Sequence, residues 1–325
     1  MTQAYHKNAV LSAVSKKRKK PVPIILGTDW WTDCDDAVAI RVLAQAEKAG
    51  CIKLCAVAVS AYMPFSARSI DIFLANEGLP DIPLGIDRDA VDYGGSPAYQ
   101  KMLCELEENR SNRSDVQDAV KLYRKVLSEA TERLDLVEIG YPQILAALLQ
   151  SAPDEFSDAD GLNLIKQKVR KLWMMAGNWE SLESGKENNF SRNKRACAAG
   201  AYLCENFPCE ITFLGWEVAD KILTGSRLDS NDMLAKILKC RNYTCGRSSW
   251  DPMLALLAVI GDEAAAGYDT VCGKASVDAE TGINHFEVNS NGKHRIVRKN
   301  QPDDFYKTAV DSIITLGETY TKTGI

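Results

Sequence analysis

Four aspartates, Asp29, Asp33, Asp35 and Asp36, fall within the eight residues that close the segment GTDWWTDCDD. Carboxylates this close repel one another unless protons or a cation intervene. A hard divalent cation with oxygen ligands, Ca²⁺ or Mg²⁺, is the matching partner. Zinc fits less well, because the chain has only three histidines, His6, His285 and His294, and none is near this segment. An EF-hand loop counted from Asp29 puts Cys34 where a glycine is wanted and Ile40 where a glutamate is wanted. A phosphatase-type aspartate nucleophile would directly follow the preceding apolar run, where Gly27 stands. A plainer alternative remains open at this point: solvated acids at a helix N-terminus.

The elements that must position these acids are legible on both sides. PVPIILG is a short apolar run of branched residues and reads as a buried strand. Asp35 to Ala49 carries apolar residues at helical spacing, with two acids where the helix dipole is positive. Leu54–Val59 reads as a strand, Ser66–Asn76 as a helix and Ile82–Ile86 as a short strand; residues 87 to 115 read as an irregular, charged excursion. Asp118–Arg133 follows as a helix, Leu134–Ile139 as a strand and Gln143–Gln150 as a helix. Val169–Met175 and Ile211–Leu214 read as strands around the helix Lys194–Asn206, and a further helix begins at Pro252. Val271 to Val297 alternates around Glu280-Thr281-Gly282 and reads as a β-hairpin. Strands separated by helices predict βαβ units, hence an α/β fold with one doubly wound, mostly parallel, Rossmann-like sheet. Ligands bind such sheets beyond the carboxyl ends of the strands, where the aspartates fall.

Composition narrows the function. The net charge of −5 argues against nucleic acid as the main partner. No run of 18 apolar residues suggests a membrane span, and the start is not a secretory signal. The ten cysteines contain no CxxC pair and read as reduced thiols of a cytoplasmic protein. Residues 1–20, with the basic run Lys16 to Lys20, read as a flexible, solvated arm ahead of one domain over 21–325; a nuclear address or anionic-surface patch is the other reading of the run.

ILGTDWWTDCDDAVAI resembles the N-terminal signature of the inosine-uridine preferring nucleoside hydrolases, a strand and spaced aspartates closing on an Asp-Asp pair that leads into a helix. The likeness runs over roughly residues 22 to 300. LVEIGYPQILAALL looks like the family's strand-Gly-Pro-helix segment, LWMMAGN like its Met-Gly-Gly strand end, Glu187-Asn188-Asn189 like its Glu-Phe-Asn motif, and Trp250-Asp251-Pro252 like its His-Asp-Pro motif. The resemblance implies hydrolysis of the N-glycosidic bond of a ribonucleoside or related ribosyl compound. It implies a Ca²⁺ held by Asp29, Asp36, Asp251 and the Ile139 carbonyl, binding the ribose 2′- and 3′-hydroxyls and a water activated by Asp35 as general base. Glu187 and Asn189 would bind the ribose hydroxyls, with Met175 and Asn178 along the ribose. It also implies a small-molecule partner and a homodimer or homotetramer.

The departures redirect part of this. The family's first aspartate is Gly27, its glycine is Trp31, and the spacing to Asp35-Asp36 is two residues longer, which leaves Asp33 as a further candidate ligand. Its asparagine after the second strand falls near Tyr62, and the phenylalanine of Glu-Phe-Asn is Asn188. The histidine that in some members protonates the leaving base is Trp250, which can stack but cannot supply that proton. Trp30, Trp31, Tyr62, Trp179 and Trp250 are candidates for an aromatic pocket. A second function therefore stands beside hydrolysis: a catalytically weak protein that binds or senses a ribosyl ligand.

Overall fold

The computed structural model describes residues 8–106 and 116–315. Its first half runs α1 (Ala9–Lys17), β1 (Val22–Thr28), α2 (Asp35–Lys48), β2 (Ile52–Val59), α3 (Ser66–Asn76), β3 (Leu84–Ile86), α4 (Ala98–Leu106), β4 (Gln117–Asp118), α5 (Ala119–Glu129), β5 (Leu134–Glu138) and α6 (Gln143–Gln150). The second runs α7 (Gly161–Lys168), β6 (Val169–Met175), α8 (Asn188–Ser191), α9 (Lys194–Asn206), β7 (Glu210–Leu214), α10 (Trp216–Ala219), β8 (Leu223–Thr224), α11 (Met233–Cys240), β9 (Arg247–Ser248), α12 (Trp250–Ile260), β10 (Tyr268–Val277), β11 (Asn284–Val288), β12 (His294–Lys299) and α13 (Asp303–Ile314).

Ten strands form one sheet in the order β11-β10-β12-β7-β6-β5-β1-β2-β3-β4. Every pairing is parallel except the two made by β10, which runs antiparallel to β11 and to β12. The strand order reverses at β1, which pairs with β2 on one side and β5 on the other. This is the switch point at which a doubly wound sheet opens a crevice beyond its strand ends. Both faces are covered, so β1 and β5 are apolar on both sides: Ile24, Leu26 and Val137 pack into one core, and Ile25, Leu134 and Leu136 into the other.

Arg41 locks α2 into place. Its buried guanidinium bonds Glu77, Asp232 at 2.8 and 2.9 Å, and the Ile314 carbonyl at 3.1 Å, tying α2 to the ends of α3 and α13 and the start of α11.

Two readings are corrected. Residues 8–20 are not a free arm: Leu11 and Val14, three apart, give α1 a buried stripe, and the Arg18 guanidinium bonds the Cys51 carbonyl at 2.7 Å and the Val259 carbonyl at the end of α12. Met1–Lys7 lie outside the described residues. Within 87–115 lies α4, whose Tyr99, Gln100, Leu103 and Cys104 are buried; residues 107–115 lie outside the described set. The expected hairpin is present as β10 and β11 around Gly282, and β12 joins the other edge of β10 to the parallel strands. All ten cysteines are free thiols. Among the described residues no helix is long and apolar enough to cross a membrane.

Candidate active site and metal centre

The acids gather at the switch point because three chain segments end there. β1 stops at Thr28 and releases Asp29. The loop then turns through two non-glycine residues in the left-handed region, Trp30 (φ 49°) and Cys34 (φ 59°), before α2 opens on Asp35 and Asp36. Such positions are strained for side-chain-bearing residues and cluster at functional sites. The third segment is the start of α12. The sequence places the start of this helix at Pro252; the structure starts it two residues earlier, with Ser249 as N-cap and Asp251 inside the first turn. Two helix N-termini therefore converge on one cluster, and their dipoles offset part of the repulsion among the acids.

One oxygen from each of Asp29, Asp33 and Asp36 lies within 4.8 Å of the others, and the same holds for Asp35, Asp36 and Asp251. The donor set fits a hard divalent cation: oxygen-only, anionic, drawn from separate segments, and buried at every member except Asp33. The fine positioning comes from hydrogen bonds. Asp29 accepts the Trp31 N–H at 2.9 Å. Asp36 accepts the Thr28 hydroxyl and, at 3.2 Å, the Trp30 N–H. Asp35 Oδ2 accepts the Asp251 N–H at 3.2 Å.

Electrostatics match this crowding. Burial, then mutual repulsion, pushes Asp29, Asp35 and Asp251 well above the usual carboxylate range, and burial with Asp33 nearby lifts Asp36 to about 7. A divalent cation would remove that repulsion and favour the ionised carboxylates, so binding one there would release protons.

The loop after β6 closes one side. Glu187 is buried and accepts the Asn189 N–H at 2.8 Å and the Gly177 N–H at 3.0 Å; burial lifts its carboxyl to about 7. Asn189 donates to the Met175 carbonyl at 2.9 Å and reaches the Ile139 carbonyl at 3.5 Å, so the two strand ends and this loop share one amide. Asn188 is exposed and donates to the Tyr141 hydroxyl at 3.3 Å. Asn178 turns to its own loop: its side chain accepts the Glu180 N–H at 3.1 Å, and its carbonyl accepts from Asn284 at 2.8 Å. Tyr62 is half-buried against the core, with its N–H on the Ala90 carbonyl at 2.8 Å.

The five aromatic candidates do not make one pocket. Trp30 is fully buried between Phe73 and Tyr99, and Trp179 between Phe213 and Phe286. Both are core residues because their neighbours are apolar and their indole N–H groups are satisfied, on Ser69 and on the Ala176 carbonyl. Trp31 stands under the Arg192 guanidinium, 4.4 Å from its ring centroid. Trp250 stacks on Trp216 and donates to its carbonyl at 2.8 Å.

Sequence reasoning missed three groups here. Arg247, on β9, bonds Asp33 at 3.2 Å and lies 4.7 Å from the Trp250 ring, placing a cation beside the acids. Tyr141 stacks on Tyr93 at 4.1 Å and holds Asn188. Glu138, at the end of β5, is buried, and burial lifts its carboxyl to about 8. An acid at a strand's carboxyl end was the available signal for Glu138; nothing local marks Arg247. An open cleft of about 760 Å³ lies at the other end of the sheet, lined by Pro23, Lys53, Leu54 and Leu134, away from all of these groups.

No family model matches the chain, and no curated protein does. Solved structures do. An inosine-uridine preferring nucleoside hydrolase from Bacillus anthracis superposes with a TM-score of 0.65 at 14% identity, covering 90% of this chain and 99% of that one. The type III effector protein XopQ, in complex with adenosine diphosphate ribose, gives 0.69 at 15% identity over 98% and 99%. The plant nucleoside hydrolase PpNRh1 gives 0.67 at 14% over 91% and 99%. The chain has the nucleoside hydrolase fold, with a sequence far diverged from those proteins.

Proposed function

We propose that this protein hydrolyses the N-glycosidic bond of a ribonucleoside or a related ribosyl compound. The observation that carries this is the meeting of Asp35, Asp36 and Asp251, from two helix N-termini, with oxygens within 4.8 Å of one another beyond β1. The fold shared with two nucleoside hydrolases supports it.

Asp29, Asp36 and Asp251, with the Ile139 carbonyl and with Asp33 at the rim, would hold a divalent cation, Ca²⁺ by donor type. When bound, that ion supplies Lewis acidity to a water and a point of attachment for a ribose diol. Asp35 takes the proton of the attacking water; its Oδ2 is already oriented by the Asp251 N–H. The water oxygen bonds to C1′ as the C1′–N bond breaks, and the base departs with the bonding pair. Positive charge spreading over C1′ and the ring oxygen is stabilised by the surrounding carboxylates. Glu187 is fixed through both oxygens by backbone N–H groups and can still accept ribose hydroxyls, which orients the sugar. Burial and then Asp33 and Asp36 raise Asp35 well above the usual carboxylate range, and Arg247 opposes that shift in part.

A single experiment tests the reading: turnover of a nucleoside panel and of p-nitrophenyl riboside, with Ca²⁺ and with chelator. Metal-dependent release of ribose supports it. No turnover of any ribosyl compound by Ca²⁺-loaded protein overturns it.

One observation favours a second reading, ribosyl-ligand binding without turnover. The indole at 250 is committed to Trp216, and the described histidines, His285 and His294, lie on β11 and β12. XopQ, of the same fold, is solved with adenosine diphosphate ribose. Calorimetric binding of that nucleotide with no ribosyl product formed is the outcome that reading requires.

A further inference from the structure

Gly27 and Glu138 are register partners on β1 and β5. A Cβ at position 27 would overlap the Glu138 carboxyl, standing 2.5 Å from its Cδ and 2.6 Å from its Oε1. Glu138 therefore fills the volume that any side chain on Gly27 would need. The Gly27 backbone is ordinary strand, so what a side chain there would meet is the Glu138 carboxyl, which would have to move aside.

The carboxyl is held at one end only. Oε1 accepts the Gly140 N–H at 3.0 Å; Oε2 is buried and has no partner. Leaving a buried carboxylate oxygen unpaired is costly, so its retention calls for a reason. The bond it makes supplies one. It closes the turn Glu138-Ile139-Gly140, whose Ile139 N–H donates to the Gly27 carbonyl at 2.9 Å. Gly140 is pressed against β1 so closely that a Cβ there would lie 2.5 Å from the Asp29 nitrogen and 2.6 Å from Ser60 Oγ. Tyr141 then continues the turn, donating to Ser60 Oγ at 3.0 Å. One carboxyl thus ties the turn that carries the Ile139 carbonyl to a glycine packed on the backbone of Asp29.

We propose that Glu138 is a positioning residue of the cation site: its carboxyl occupies the place of a β1 side chain at position 27 and, through Gly140, sets the Ile139 carbonyl and the backbone of Asp29. This rests on the reading that Asp29 and the Ile139 carbonyl hold a divalent cation. Neighbouring groups that orient ligands typically change metal affinity 10- to 100-fold when removed.

Calorimetric titration with Ca²⁺ tests it on the full chain. Glu138→Ala is expected to weaken Ca²⁺ binding at least tenfold while circular dichroism stays that of the wild type. Glu138→Gln keeps an acceptor for the Gly140 N–H and is expected to stay within about threefold of wild type, which a role as a bound charge would not allow. Gly27→Asp alone is expected to weaken binding by collision, and Gly27→Asp/Glu138→Ala to bind more tightly than either single variant. Wild-type affinity in Glu138→Ala, or no recovery in the double variant, overturns the proposal. Should Glu138→Ala not fold, the folded double variant carries the test: affinity within tenfold of wild type supports the proposal, and loss of binding overturns it. Absence of Ca²⁺ binding by the wild type instead overturns the metal reading beneath both proposals.

Discussion

Asp35 Oδ2 accepts the backbone N–H of Asp251 at 3.2 Å, joining the first turn of α2 to the first turn of α12 across 216 residues of sequence. The candidate base is therefore oriented by the backbone of a candidate ligand, and the two carry separable roles. Asp35→Asn keeps the shape and the acceptor but cannot take a proton. Turnover is expected to fall about 10²- to 10⁴-fold, with Ca²⁺ affinity changed far less. Asp36→Asn is expected to lose Ca²⁺ binding itself. Steady-state kinetics beside calorimetry reads both, and equal loss of metal in the two variants would remove the division of labour.

The acid cluster makes the effect of Ca²⁺ depend on pH. Asp36 is lifted to about 7, and Asp29, Asp35 and Asp251 are raised, whereas unfolded aspartates ionise near 4. Between those values the folded chain in chelator binds more protons than the unfolded chain. The stability these protons give is present at low pH and is lost as pH rises through about 7. Ca²⁺ bound among these acids would replace the protons, so the rise in Tm on adding it is expected to be larger at pH 8 than at pH 5. Calorimetric melts at both pH values, with and without Ca²⁺, check this; equal increments would contradict it.

Trp250 stands where an acid over the leaving group is expected, and its indole N–H is spent on the Trp216 carbonyl at 2.8 Å. Leaving groups that depart without a proton should therefore fare best. The kcat/KM for p-nitrophenyl riboside is expected to exceed that for inosine by about 10²-fold or more, the usual contribution of general acid catalysis. Comparable values for the two substrates would mean that another group protonates the base.

Much of this was readable in the residues, for identifiable reasons. β6, α3, α6 and α9 have the bounds their apolar patterns predict, because each is bounded by polar or turn residues and buries one continuous pattern. The four clustered aspartates stood out because carboxylates so close need protons or a cation between them, and Asp251 through the likeness of Trp250-Asp251-Pro252 to the family's motif. Local pattern cannot report partners across the fold. Glu138 matters through the glycine beside it on β1, and Arg247 through Asp33, 214 residues away. The burial of Trp30 and Trp179 depended on distant aromatics, Tyr99 and Phe286 among them. β10 reads as one arm of a hairpin, yet it also pairs along its other edge with β12.

Arg41 gives a stability prediction independent of the site. Its guanidinium is buried with Glu77 and Asp232, both buried as well. Removing the cation leaves two acids uncompensated inside the protein, so Arg41→Met is expected to destabilise by about 3–5 kcal/mol. Denaturant melts at pH 7 measure this, and a loss under about 1 kcal/mol would show that the triad is not held as described.

His294 predicts how the protein fails in acid. Burial, with Lys274 nearby, lowers its pKa from 6.5 to about 4, and its Nδ1 accepts the Ala275 N–H at 2.9 Å, so the ring is neutral when folded. An unfolded histidine takes up its proton near 6.5, so between 6.5 and 4 the unfolded chain binds more protons than the folded one. The stability this ring contributes is complete above about 6.5 and falls as pH drops toward 4, by roughly 3 kcal/mol in all. His294→Gln keeps an acceptor for Ala275 but does not titrate, so its stability at saturating Ca²⁺ should decline less than wild type over this window. Other acids titrate there too, but they are common to both proteins and cancel in the difference. Parallel curves for the two proteins from pH 7 to pH 4 would show that the buried ring does not drive the acid transition.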